Sequence, residues 1–244
     1  MNVSRMLLQA RAELSLTLRN GEQLLLTFVI PIVLLGFFGS VDVLPLDAWR
    51  EPLDVLVPGV LAVAVMSSAM VSLGIATGFE RSYRVLKLLG ATPLRKGELV
   101  TAKAISVFAV EVVQAALLVA LGLALGRRPG GGQVLLVVPA VLLGSLAFAG
   151  IGLLLAGSLR AEVNLAAQNG LYLLLLLGGG ALIPASALPN AAEAVADVLP
   201  SHALARVLEA SLSGLDGSAA RHWAVLSAWA IAAPALAARR FRWW

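Results

Sequence analysis

The chain has 244 residues, of which 59% are hydrophobic and only 13% are charged, and it contains no cysteine. A soluble domain usually has about 25% charged residues, so the composition excludes an ordinary soluble protein, and the absence of cysteine excludes disulfides and thiol chemistry. The formal net charge of +4 does not indicate a nucleic-acid partner, because the basic residues stand beside long apolar runs, where they set membrane orientation.

Those apolar runs predict an all-α polytopic membrane protein with six transmembrane helices, since a spanning helix needs about 20 mostly apolar residues. An amphipathic helix at 1–20 is expected to lie in the membrane interface before the first span. The six spans are placed at 24–41, 55–79, 104–126, 134–159, 165–184 and 223–238. Residues 1–244 are thus predicted to form a single transmembrane domain.

The loop at 185–221 is expected to contain two short helices that lie at the outer surface or dip into it. The first ends before Pro200, and Ser201 is expected to cap the second. The apolar face of that second helix is formed at helical spacing by Leu204, Val207, Leu208 and Leu212.

The distribution of Lys and Arg predicts the orientation. Six spans put both termini on one side, where thirteen Lys and Arg lie, against five on the other side. Cytoplasmic loops carry the excess of basic residues, so both termini and the 80–103 loop are expected in the cytoplasm. Arg127 and Arg128 are a local exception, and Arg127 is expected to be exposed on the outer side. Fifteen Arg against three Lys is typical of a GC-rich bacterial genome, and the expected location is the bacterial plasma membrane.

No catalytic motif stands out in the chain. It has no phosphate-binding G-x-x-x-x-G-K-[ST] loop, so an ATPase or other enzyme is not expected. His202 and His222 are the only histidines and lie far apart in sequence. They are interpreted as interfacial polar residues rather than metal ligands, and no metal site is predicted.

A few polar residues inside the spans are candidates for a substrate pathway. Glu111 is the one charged residue well inside a span, and Gln114 follows on the same helix face. Glu111 either belongs to a functional site or has a structural role, in which it bonds a neighbouring helix or reaches a polar crevice, and the sequence favours neither interpretation. Gln168 and Asn169 in span five complete the candidate pathway.

The densest basic stretch, "GFERSYRVLKLLGATPLRKGELVTAKAI", lies between two very apolar runs at 78–105. Its helical pattern predicts a short amphipathic helix within 80–90, broken at Thr92-Pro93. Val85, Leu88 and Leu89 form the apolar face of this helix. Its basic side is formed by Arg81, Arg84 and Lys87.

This stretch resembles the first cytoplasmic loop of type 2 ATP-binding-cassette (ABC) transporter permeases, whose pattern is approximately E-R-E-x-G-T-L-E-x-L-L-A-T-P-L-S-R-x-E-L-L-x-G-K. The departures are Ser82 at the second acidic position and Arg84 at the usual Gly. The entry into span one, "LRNGEQLLLTFVIPIVLL", is also similar, with Arg19, Asn20 and Pro31 in place. The matching loop positions are Glu80, Arg81, Leu86, Leu88, Leu89, Ala91, Thr92, Pro93, Leu94, Glu98, Leu99 and Lys103.

The resemblance implies the membrane subunit of a bacterial exporter of the drug-resistance or antibiotic-export branch. In such an assembly two cassette subunits bind ATP and Mg, so no cofactor is expected in this chain, and a second permease, identical or related, completes the pathway. The loop helix would dock on a cassette. The expected coupling residues are Glu80, Arg81, Arg84, Val85, Leu88, Leu89, Thr92 and Pro93, and the expected substrate is hydrophobic or amphipathic.

Two other functions remain open from the sequence. One is an ion-coupled secondary transporter that uses Glu111 as its proton site. Such carriers usually show inverted repeats and several buried ionisable residues, and neither is found. The other is a membrane assembly protein that transports nothing.

Overall fold

A computed structural model describes most of the chain, and every regular element in the described part is helical. The described residues are 3–40, 52–127, 132–179, 194–214 and 219–240. The helices are α1 (Val3–Arg19), α2 (Gly21–Ser40), α3 (Pro52–Met66), a π-helical segment (Ser67–Ser72), α4 (Leu73–Ser82), α5 (Val85–Gly90), α6 (Lys96–Ala124), a 3₁₀ turn (Val134–Leu136), α7 (Val137–Ala156), α8 (Ala161–Gly178), α9 (Pro200–Ser213) and α10 (Ala219–Arg240).

Among the described residues, four helical stretches are long and apolar enough to cross a membrane. They are Gly21–Ser40, Pro52–Ser82, Lys96–Ala124 and Val134–Ala156. They coincide with predicted spans one to four. Helices α8 and α10 lie where spans five and six were placed, but they do not meet the same criterion, so the six-span count stays a prediction.

Some sequence predictions fall outside the described residues. These are Val41 at the end of span one, the end of span five at 180–184, the first part of the outer loop at 185–193, and Arg128.

Helix α7 lies at the centre of the bundle and packs closely against α10 and the π-helical segment. Phe148 and Leu153 of α7 are fully buried. The close approach depends on glycine: a Cβ at Gly150 would lie 2.4 Å from the backbone nitrogen of Pro234, and one at Gly152 would lie 2.6 Å from the carbonyl oxygen of Met70. Glycine lets two backbones approach in this way because it has no side chain.

Helix α9 is packed into the bundle rather than lying at its surface. Its predicted apolar face, Leu204, Val207, Leu208 and Leu212, is buried, and the helix packs on α3, α7 and α10. The predicted cap is wrong, because Leu199 is the N-cap residue and Pro200 opens the helix. Proline suits the first helical position, where its missing N–H would be unpaired anyway.

Candidate functional site: a polar cavity and a basic loop

A cavity of about 470 Å³ opens between α2 and the helix that runs from α3 through the π-helical segment. Its wall is mixed, with apolar residues such as Leu26 and Val63 beside hydroxyl and amide groups. The polar lining residues are Asn20, Glu22, Gln23, Thr27, Ser67, Ser68, Ser72, Gln114 and Tyr172. Such a wall can accept a molecule with both apolar and polar parts.

A second cavity of about 150 Å³ adjoins the first and shares several of its lining residues, including Thr27 and Ser72. It extends to Glu13, Glu80 and Lys103, at the end of the bundle that carries the 80–103 loop. Polar surface therefore continues from the middle of the bundle to that loop.

The structure separates Glu111 from Gln114. Both side chains are buried, but only Gln114 borders the larger cavity, where its Nε2 donates to the carbonyl oxygen of Thr27 at 2.5 Å. The Glu111 carboxylate instead meets the hydroxyl of Ser145 on α7. Glu111 thus contacts a neighbouring helix, which is one of its two predicted roles, and a part in substrate passage stays a prediction.

Gln168 and Asn169 do not border either cavity. Gln168 is buried where α8 meets α4 and α7, and its Nε2 donates to the carbonyl oxygen of Gly152 at 2.8 Å. Asn164, one turn earlier, donates to the carbonyl oxygen of Gly74 at 2.9 Å. Asn169 is exposed and bonds within its own helix. Gln168 therefore holds helices together, and Asn169 lies on the outer face of α8.

Sequence reasoning missed the cavity's serines and Tyr172. Ser67, Ser68 and Ser72 lie on the π-helical segment, which widens the helix locally and is a feature often found at functional sites. The signal in the sequence was the run "MSSAMVS", three hydroxyl residues inside an otherwise apolar span. Tyr172 carries no such signal, because a single tyrosine in a span is common at the membrane interface.

A buried ion triad joins three elements at the loop end of the bundle. Lys103 of α6 is 1% exposed, and its Nζ lies 2.9 Å from a carboxylate oxygen of both Glu13 on α1 and Glu80 on α4. Glu80 and Lys103 are two matched positions of the permease loop pattern. Their contact explains why both residue types occur in that pattern here.

The side chain of Arg81 also makes hydrogen bonds within the chain. Its guanidinium donates to the carbonyl oxygens of Ala156 and Leu159, at 3.0 and 3.2 Å, and so caps the end of α7. Arg5 of α1 donates to the carbonyl oxygen of Pro93 at 3.0 Å. Glu80 and Arg81 thus make internal bonds that fasten the loop to the bundle, and a contact of either with a partner stays a prediction.

The turn between α4 and α5 depends on Arg84, which has a φ of 65°. This is the left-handed region that favours glycine, and glycine is the residue that the permease pattern has at this position. The departure from the pattern therefore leaves the turn in place, at the conformational cost of a non-glycine residue there.

Helix α5 presents only part of its predicted apolar face to solvent. Leu88 is 72% exposed and Val85 is 42% exposed. Leu89 is partly buried and packs with Leu94 against the buried pair Leu86 and Leu99. The exposed apolar surface of α5 is therefore centred on Leu88, and Leu89 contributes to the loop's own small core.

The interpretation of Arg127 as an exposed outer residue is wrong. Arg127 is buried, its Nε lies 3.0 Å from Asp54, and its Nη2 donates at 2.9 Å to both the carbonyl oxygen of Leu212 and the hydroxyl of Ser213. It joins the start of α3 to the end of α9. These bonds give Arg127 a structural role, which accounts for a basic residue on the proposed outer side, where Lys and Arg are few.

The two histidines meet although they are far apart in sequence. The rings of His202 and His222 lie 5.3 Å apart, edge to face, and both side chains are buried. The Nδ1 of His202 lies 3.1 Å from the carbonyl oxygen of Gly179. Burial lowers the pKa of His202 from its usual value, despite the opposing contact with Gly179. Sequence separation was therefore a poor guide to their distance.

These features define a helical membrane protein with a polar cavity and a loop fastened to its spans. The chain belongs to the ABC-2 type transporter family, whose model matches residues 6–212. It is similar to a putative transport permease, YvfS, of Bacillus subtilis (strain 168), with 26% identity over 198 residues that cover 80% of each chain. The predicted resemblance to type 2 permeases is confirmed.

Proposed function

We propose that the chain is the permease subunit of an ATP-driven exporter that moves a hydrophobic or amphipathic molecule, such as a drug, natural product or lipid, out of the cytoplasm or inner leaflet. Family membership supports the transporter subunit, and the mixed wall of the 470 Å³ cavity supports an amphipathic substrate. The chain has no phosphate-binding loop of its own, so ATP and Mg would bind a separate cassette subunit.

The observation that carries this proposal is the exposed apolar patch on α5. Leu88 projects from a loop that is otherwise fixed to the bundle by the Lys103 triad and by Arg81. An exposed leucine on a rigidly held helix is suited to dock in a groove of a partner protein. Movement of the docked partner would be transmitted to α4 and α6 through the Lys103 triad.

Two cassette subunits and a second permease, identical or related, complete the proposed assembly. Helix α2 is the surface proposed for the second permease because of its place beside the cavity. The cavity lies beside this helix, so a second chain on α2 would help to enclose it. The location proposed is the bacterial plasma membrane, with both termini in the cytoplasm.

The docking role is tested by replacing Leu88 with Asp. A carboxylate buried without a partner in a protein groove costs several kcal/mol, which is enough to bring a micromolar-class affinity below detection. The chain is purified from its native host with an affinity tag, and the ATPase activity that copurifies is measured. We expect wild-type chain to retain an ATPase and Leu88→Asp to lose it, with unchanged membrane insertion.

Leu135→Asp is the matched control. Leu135 is 86% exposed and lies at the opposite end of α6 from α5, so the same change there should leave the copurifying ATPase intact. An ATPase that remains bound to Leu88→Asp would exclude docking through this patch. No ATPase with wild-type chain, under conditions that preserve membrane complexes, would contradict the exporter function itself.

No structural observation favours the two rival functions. Glu111, which an ion-coupled carrier would use, contacts Ser145 and borders neither cavity. An assembly protein that transports nothing would need neither the cavity nor a docking loop.

A further inference from the structure

Three segments that are separate in sequence converge beside the end of α8. Asp197 precedes α9, His202 lies in the first turn of α9, and His222 lies in the first turn of α10. One potential ligand atom from each residue lies within 4.8 Å of the other two. None of the three residues lines either cavity or belongs to the 80–103 loop, and neither the family match nor the proposed function gives the cluster a role.

The potential ligand atoms of the cluster lie within 4.8 Å of one another, near enough for side-chain movement to bring them around one ion. The Nε2 of His202 lies 3.6 Å from the Oδ1 of Asp197, which is too long for a good hydrogen bond. Neighbouring ligand atoms of a tetrahedral zinc ion lie about 3.3 Å apart, because zinc bonds to nitrogen and oxygen are roughly 2.0–2.2 Å long. A small inward movement of the side chains would bring them to that separation.

The orientation of His202 is the second indication. Its Nδ1 lies 3.1 Å from the carbonyl oxygen of Gly179, a contact that requires the proton on Nδ1. The Nε2 then carries the lone pair, and it is this atom that faces Asp197. A metal-bound histidine almost always has its other ring nitrogen held by a carbonyl or carboxylate in this way.

Two arginines lie near the cluster, and each is paired with a carboxylate. Arg221 contacts the other carboxylate oxygen of Asp197, Oδ2, at 2.9 Å, and its side chain is 59% exposed. Arg206 is paired with Glu209 one turn further along α9. The Oδ1 of Asp197 therefore lies towards His202, while Oδ2 contacts Arg221.

We propose that Asp197, His202 and His222 bind one divalent transition-metal ion, with zinc the best match. Two imidazole nitrogens and one carboxylate oxygen suit zinc, whereas Mg²⁺ and Ca²⁺ prefer sites made of oxygen alone. Three protein ligands leave a fourth tetrahedral position for water. The ion would fasten the start of α9 and the start of α10 to each other, next to the end of α8.

The test is metal binding by the purified full-length chain, prepared with a tag that contains no histidine. Co²⁺ is the spectroscopic probe, because tetrahedral Co²⁺ absorbs strongly in the visible range and octahedral Co²⁺ does not. The absence of cysteine removes the commonest competing ligand. We expect a tetrahedral Co²⁺ spectrum that saturates at one ion per chain and is abolished by one equivalent of Zn²⁺, and a Zn²⁺-dependent rise in the thermal unfolding midpoint.

Variants of the ligands decide between a metal site and a polar packing cluster. Three variants remove one proposed ligand each: His202→Gln, His222→Gln and Asp197→Asn. Each should weaken Co²⁺ binding by more than the roughly 10–100-fold that is typical of losing a residue that only hydrogen-bonds to a metal ligand. Arg221→Gln is the control, since it removes only the cation that contacts Asp197. A metal site predicts that Arg221→Gln binds Co²⁺ as tightly as wild type or more tightly.

Wild-type chain that shows no tetrahedral Co²⁺ spectrum, and no Zn²⁺-dependent stabilisation, would overturn the proposal. Equal binding by wild type and a correctly folded His222→Gln variant would do the same. If a ligand variant fails to fold, as judged by its helical circular dichroism, the wild-type spectrum and the Arg221→Gln titration still decide the question.

Discussion

At the scale of single residues, Lys103 is a buried charge that lies between two carboxylates. It is 1% exposed and lies between Glu13 and Glu80 at 2.9 Å from each. Breaking a buried ion pair by removing one partner costs about 3–5 kcal/mol, because the remaining charge is left buried without compensation. Removing Lys103 leaves two carboxylates facing each other, which is worse than losing either carboxylate.

Lys103→Met should therefore destabilise the chain more than Glu13→Gln, although methionine fills a similar volume. The expected cost of Lys103→Met is at least about 3 kcal/mol, seen as a lower thermal unfolding midpoint in detergent and a lower yield. The exposed Lys87→Met on α5 is the matched control and should change little. Equal stability of the two Met variants would show that the triad contributes nothing.

Residue types were predicted better than residue roles. The sequence singled out Arg84, Arg127 and the two histidines, but their roles depend on atoms distant in the chain. The value of φ at Arg84 reveals why the pattern has glycine there. The buried position of Arg127 depends on Asp54 and the end of α9, and no spacing rule places those groups together.

At the scale of elements, the centres of the predicted helices agree with the structure because an apolar run long enough to cross a membrane has few alternatives to a helix. The ends agree less well: predicted span two covers 55–79, whereas the helical stretch runs from Pro52 to Ser82. The π-helical segment at Ser67–Ser72 was not predicted, because the apolar run that contains it indicates a helix and not its hydrogen-bond register.

The crossing of α7 and α10 gives a sharp prediction about glycine. A Cβ at Gly150 would lie 2.4 Å from a backbone atom of α10, whereas a Cβ at Gly36 on α2 would meet nothing within 4 Å. Gly150→Ala should force the two helices apart and cost about 1–3 kcal/mol or more. Gly36→Ala should be neutral or slightly stabilising, because alanine favours a helix over glycine by about 1 kcal/mol.

Thermal unfolding of the two alanine variants in the same detergent measures this difference. If Gly150→Ala is as stable as Gly36→Ala, the helices can separate without loss and the close crossing is not a determinant of the fold.

At the scale of the whole molecule, orientation rests on the distribution of basic residues along the chain, with thirteen Lys and Arg on the proposed cytoplasmic side against five outside. Arg127 weakens the opposing count, because it is neutralised inside the bundle by Asp54. The packing of the helices is the same whichever end of the bundle faces the cytoplasm. The orientation therefore has to be measured separately.

The natural absence of cysteine makes that measurement direct, because any introduced cysteine is the only thiol in the chain. Leu88 on α5 and Leu135 beside α7 are both highly exposed leucines, at 72% and 86%, and the long helix α6 separates them. Leu88→Cys should react with a membrane-impermeant maleimide only after cells are permeabilised, since the proposed orientation places it in the cytoplasm. Leu135→Cys should react in intact cells.

The reverse result would invert the orientation and place the docking loop out of reach of any cytoplasmic ATPase. Labelling of both cysteines from outside would instead show that α6 does not cross the membrane, because a single crossing must put its two ends on opposite sides.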